Sequence, residues 1–181
     1  MISELCIFDL SANETRVLLR HTGHIEAPNW HPDGYLIVNG GGQIFQVPLI
    51  SPHLVPLDTG LAKACNNDHG ISPDGAKLVI SDQTEYGQSC IYTLPVSGGL
   101  PTQITPKMPS YWHGWSPDGE TLTYVGRRDS AFALFTCPAS GGEESCVTSE
   151  FDHIDGPDFA PDGKWIWFNG ERDGKVELWR I

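Results

Sequence analysis

The tripeptide Pro-Asp-Gly occurs four times in this chain, at Pro32-Asp33-Gly34, Pro73-Asp74-Gly75, Pro117-Asp118-Gly119 and Pro161-Asp162-Gly163. The copies stand 41, 44 and 44 residues apart. That period suits a four-stranded propeller blade and is too long for an ankyrin or tetratricopeptide unit. Proline presets φ at the first turn position, aspartate bonds its own downstream backbone, and glycine accepts positive φ, so each copy reads as a tight turn between two strands.

The segments around the turns recur in the same order. After the third copy, residues 121–125 form a β-branched and aromatic run, 131–136 a third strand, Ser140-Gly141-Gly142 a turn and 144–148 a short fourth strand. The second copy repeats this with 77–80, 90–94, Ser97-Gly98-Gly99 and 102–105, and the first with 35–38, 43–47 and 54–57. Gly40-Gly41-Gly42 reads as the hairpin between second and third strands. The fourth copy supplies 164–168 and 176–180. No segment sustains a helical period over ten residues, and glycine and proline recur too often to permit one. The class is all-β: a β-propeller of four-stranded antiparallel blades.

The residues leading into each turn, Asn29-Trp30-His31, Gly70-Ile71-Ser72, Gly114-Trp115-Ser116 and Asp158-Phe159-Ala160, complete a signature that resembles the TolB-like family of propellers over essentially the whole chain. The resemblance implies the fold. For function it implies less, since that family mixes a periplasmic scaffold protein, peptidase propeller domains and many uncharacterised members. Such propellers usually have six blades, more than these 181 residues supply. The expected division is a partial blade over 1–22, blades over 23–62, 63–106 and 107–149, and an incomplete blade over 150–181, about seventeen strands in all. A closed four-bladed ring, an open ring covered by another chain and a portion of a six-bladed parent all fit that count. The spare strands at 4–8 and 15–19 read as a third and a fourth strand, and the third-type one duplicates 176–180, so the expectation is an open ring that forms a homo-oligomer through its terminal blade edges.

Lysine and arginine number 11 against 23 aspartate and glutamate, a net charge of −12, which argues against nucleic acid and anionic membrane surfaces as partners. No apolar run is long enough to span a membrane. The N-terminus as given lacks a basic n-region, so the expected address is cytoplasmic, or periplasmic if the N-terminus was trimmed. Five cysteines without metal spacing read as reduced thiols, with Cys6, Cys90 and Cys137 taken as small buried hydrophobes. Trp165, Trp167 and Trp179 alternate on strands and are expected to pack between blades.

The candidate site lies in the segments before the turns, read as loops opening at one mouth of the channel: 24–29, 66–70, 110–114 and 152–158. Aligned on the turn proline, His69 and His113 share one position, and Glu26, Asn67, Tyr111 and Asp155 another. Pseudo-symmetry brings equivalent positions together around one axis. The proposed ring holds Glu26, Asn29, Asn67, Asp68, His69, Tyr111, Trp112, His113, Asp155 and Asp158. It reads in three ways: as structural caps on turns, as a pocket with aromatic faces and orienting polar groups, or as a catalytic or metal site on His69 and His113 with Asp68 or Asp155. No Gly-x-Ser-x-Gly elbow or phosphate loop is present. The favoured function is a binding or protein-interaction module without catalysis or a required cofactor, taking a protein or a small polar or carbohydrate ligand. The alternative is a metal-dependent carbohydrate-active lyase or hydrolase.

Overall fold

The computed structural model describes residues 1–181, and all of its regular structure is strand. A hairpin of β1 (Ile2–Asp9) and β2 (Glu14–Thr22) comes first. Three four-stranded antiparallel meanders follow. They are β3 (Glu26–His31), β4 (Tyr35–Gly40), β5 (Gln43–Pro48) and β6 (Val55–Pro56); then β7 (Cys65–Ile71), β8 (Lys77–Asp82), β9 (Cys90–Pro95) and β10 (Thr102–Gln103); then β11 (Ser110–Trp115), β12 (Thr121–Arg128), β13 (Ala131–Pro138) and β14 (Ser145–Thr148). A three-stranded sheet of β15 (His153–Phe159), β16 (Ile166–Arg172) and β17 (Lys175–Arg180) ends the series. The four sheets are arranged as propeller blades, and the seventeen strands match the sequence reading.

Each Pro-Asp-Gly closes the hairpin between the first two strands of its blade. The glycine N–H donates to the carbonyl three residues earlier, at 2.8 Å from Gly75 to Ser72 and from Gly119 to Ser116. All four glycines have positive φ, between 69° and 85°, which glycine alone adopts at little cost. In the second and third copies a serine completes the turn. Ser116 Oγ donates to Asp118 Oδ1 at 2.6 Å, Glu120 N donates to the same carboxylate at 3.0 Å, and Thr121 N donates to Ser116 Oγ at 2.9 Å. In the first copy His31 takes the serine's place, accepting from Asp33 N at 3.1 Å and stacking on Tyr35.

The core is divided among the interfaces between successive sheets. Strand alternation sends Leu36 and Val38 toward Leu5 of the hairpin, and Ile37 toward Leu78 and Ile80 of the next blade. Val79 and Ile91 pack on Leu122, Tyr124 and Phe135, while Val125 and Leu134 meet Ile154, Ile166 and Phe168. The second strands of the three four-stranded blades are therefore buried on both faces, while β16 is buried on one, and each blade is stabilised chiefly by its neighbours.

Some expectations change. The hairpin β1–β2 forms its own sheet and shares a core with the β3–β6 blade, so it does not join β15–β17 as a closed four-blade ring would require. The strand β17 pairs only with β16. Trp165 and Trp167 are 40% and 38% exposed, with Arg180 lying over both rings at 4.4 and 5.6 Å, and only Trp179 packs into an apolar cluster. Cys6 is exposed because the alternation of β1 turns Leu5 inward and Cys6 outward with Glu4 and Phe8; Cys65, Cys90 and Cys137 are buried and all five cysteines are free. No helix is long and apolar enough to cross a membrane.

The turn geometry carries a test. A Cβ on Gly119 would have Pro73 Cδ as its nearest neighbour at 3.7 Å, an ordinary contact, so any penalty comes from φ at +74°. Gly119→Ala is expected to cost about 1–2 kcal/mol, read from urea unfolding midpoints. An unchanged midpoint would show that the turn does not need the left-handed conformation.

Candidate functional site

The segments expected as loops at a channel mouth are strands. β3, β7, β11 and β15 lie innermost and follow one another around the axis, and each is interrupted by a register shift shortly before its turn: between Glu26 and Asn29, Cys65 and His69, Trp112 and Gly114, and Asp155 and Asp158. Bulges bend a strand and re-aim its side chains. Two of these bulges hold a residue at positive φ, Ala27 at 51° and Gly156 at 59°. The alanine is strained there.

Two glycines let adjacent inner strands approach. A Cβ on Gly70 would collide with the indole ring of Trp112 in the next blade. One on Gly114 would stand 2.5 Å from Asp158 Oδ1 of the blade after that. Both occupy the third position before the turn proline, so the repeat makes room for the next blade's contribution to the wall.

The wall encloses a groove of about 790 Å³, within the range of roughly 300–1,000 Å³ common for ligand sites. It is lined by Asn29, Asn67, Asp68, His69, Tyr111, Trp112, His113, Asp155 and Asp158, nine of the ten residues named from sequence. Glu26 is not on the wall, although its carboxylate acts on Asp68. Sequence alignment missed Trp115, Phe132 and His153. Phe132 comes from the third strand β13 and meets His153 edge to face at 6.2 Å, a contribution that comparing first strands cannot find.

The two histidines that share a sequence position are not equivalent. The shift in β7 falls before His69, which pairs in register with Ile80 and is 3% exposed, whereas the shift in β11 falls on His113 itself. His113 is half-buried, and its Nε2 lies 3.4 Å from Asp155 Oδ1 in the next blade. Burial lowers its pKa while Asp155 works the other way. His69 is pushed down to about 4 by burial, so its ring is neutral. The backbone groups of Ile37, Asn67 and Ala27 oppose that shift, although no protein group is in hydrogen-bonding geometry with either ring nitrogen. The indole nitrogens of Trp112 and Trp115 are likewise buried without a partner. Asn29 is partly structural, its Nδ2 donating to the carbonyls of His69 at 3.0 Å and Ala27 at 3.1 Å. No three His, Cys, Asp or Glu side chains gather as a metal would require.

The carboxylates carry most of the electrostatics. Asp68 is pushed up to about 6, first by burial and then by the charges of Asp155 and Glu26; the bond that Asn66 Nδ2 donates at 2.8 Å opposes this. Burial also raises Asp158. An aspartate whose folded pKa exceeds its unfolded value stabilises the fold only while protonated, and that contribution is lost as pH rises through about 6. Asp68→Asn keeps an acceptor for Asn66 and removes the buried charge. It is expected to raise stability by about 1–3 kcal/mol near pH 7.5 and by little near pH 3, measured as thermal midpoints at both. A loss of stability at the higher pH would refute this electrostatic reading.

Comparison with known proteins agrees with the geometry. The family model described as the TolB beta propeller domain matches residues 2–181. An uncharacterized protein of Agrobacterium fabrum is 46% identical over 183 residues, covering 100% of this chain and 62% of the relative. Dipeptidyl-peptidase 5 of Porphyromonas gingivalis is 26% identical over 63% of this chain and 19% of its own length. The solved structure of a TolB-like protein from Agrobacterium tumefaciens superposes with a TM-score of 0.92 at 46% identity, over 96% of this chain and 64% of that one. TolB from Acinetobacter baumannii superposes at 0.81 with 19% identity, over 98% of this chain and 45% of that one, and shows the fold alone. The chain thus spans just under two thirds of its Agrobacterium relatives, and with the matching family model over residues 2–181 it belongs to the TolB β-propeller family.

Proposed function

We propose that this chain is a binding module that takes a ligand or a segment of a protein partner in the groove along its inner strands. The observation that carries the reading is the combination, on one concave wall, of a carboxylate destabilised by its own surroundings with a buried imidazole that has no protein partner. A purely structural set of caps would bond its members to one another. Asn66 with Asp68 and Asn29 with His69 do so, but His69's ring, Trp112 and Trp115 do not. Proteins retain such costs where function requires them. The rival metal-dependent enzyme rests on His69 and His113 sharing one ion, and nothing in the geometry favours it. The homo-oligomer expected from the terminal edges belongs to the same proposal, with exposed Trp167, Val176 and Leu178 as its apolar surface.

The test is a fragment screen followed by amide and indole NMR. Hits are expected to shift Asn67, Tyr111, Trp112, His113 and Asp155 together. Hits that map elsewhere, or none at all, would remove the groove as the binding site.

A further inference from the structure

We propose that the groove recognises an organic ammonium group, held by the carboxylates of Asp68 and Asp155, with its alkyl stem against Tyr111 and Trp112. This rests on the groove being the binding site and names the chemistry of what it takes.

The charge balance of the wall is one-sided. It holds Asp68, Asp155 and Asp158, Glu26 acts on it from beside, and no lysine or arginine lines it. The remaining ionisable groups there are His69, held neutral by burial, Tyr111, His153 and His113, the last already paired with Asp155. An anionic ligand would meet several carboxylates without a full counter-charge. A neutral ligand would leave Asp68 as costly as before.

The hydrogen-bonding capacity is mixed. The carboxylates accept only, and the Asn29 amide has spent its donor on two backbone carbonyls. The neutral His69 imidazole retains one unpartnered acceptor and one unpartnered donor nitrogen, and the indole N–H groups of Trp112 and Trp115 are unpartnered donors that an ammonium leaves as they are. An ammonium offers three donors and no acceptor. It also relieves the repulsion that Asp155 and Glu26 exert on Asp68, and aromatic faces favour a cation or its stem. His69 is the observation independent of the acid cluster: a buried, unpartnered polar side chain on the groove wall. A bare divalent ion suits the site less well, because no three ligating side chains converge.

The experiment titrates the full chain at low salt with n-butylammonium, n-butanol, butyrate and calcium chloride, followed by calorimetry and by the NMR signals of Tyr111, Trp112 and Asp155. Saturable binding of n-butylammonium is expected, without binding of n-butanol or butyrate. Asp68→Asn and Asp155→Asn should each weaken it about tenfold. The Asp68→Asn protein must melt no lower than the parent, so loss of binding is separable from loss of fold. Comparing n-butylammonium with a lysine-bearing tripeptide assigns the group to a free amine or to a protein partner, according to which binds tighter. Equal binding of n-butanol, or amine binding indifferent to both variants, would overturn the proposal. If a neutral sugar, a carboxylate or calcium alone occupies the groove, the ammonium assignment fails and the groove reading survives. If nothing binds there, both fail.

Discussion

Successive Pro-Asp-Gly turns lie against one another around the axis, and the placement of every blade depends on that contact. His31 Nε2 bonds the Gly75 carbonyl at 3.0 Å. A Cβ on Gly119 would face Pro73, and one on Gly163 would face Pro117 at 3.6 Å. The last three turns are fixed internally by their aspartates and the first by His31, all four with glycine at positive φ, so each presents a rigid turn to one neighbour and bare backbone to the other. Stacking rigid turns sets the step from one inner strand to the next. The four apolar clusters between sheets then fill the space that this step defines.

The groove follows from holding that step while interrupting the inner strands. The ladder is regular at the turn and breaks a few residues earlier in all four blades, at the level where Asp68, His113 and Asp155 line the cavity. The break costs strain at Ala27, and the resulting wall brings carboxylates together where burial opposes their charge. Glycine at 70 and 114 is the steric condition for closing that wall. Stability and recognition thus pull against each other at one level of the structure, and the turn level beneath it is free of the conflict.

The parts legible in the sequence are those that repeat. The turns, the second strands and the short outer strands carry local signals: turn chemistry, β-branched runs and glycine pairs. The inner strands were less legible, because residues such as Asn66, Asn67 and Asp68 show no alternation of apolar and polar side chains and read as loop. Reading the polar segments before the turns names nine groove residues, yet alignment on the turn proline equates His69 with His113, whose bulges are placed differently. Phe132 reaches the groove through tertiary packing, which no local pattern records. Trp165 and Trp167 have the composition of packed residues but lie exposed, each sharing the Arg180 guanidinium.

The account stands on Asp68 being a carboxylate held out of its ordinary state by burial and by its neighbours across the groove. Following its side-chain carboxyl carbon by NMR as a function of pH measures this directly. The predicted midpoint is about 6, lowered when Asp155 is replaced by Asn. A midpoint in the ordinary aspartate range, near 3.9, and indifferent to Asp155, would mean that the groove is a solvated surface, and the central claim would fall.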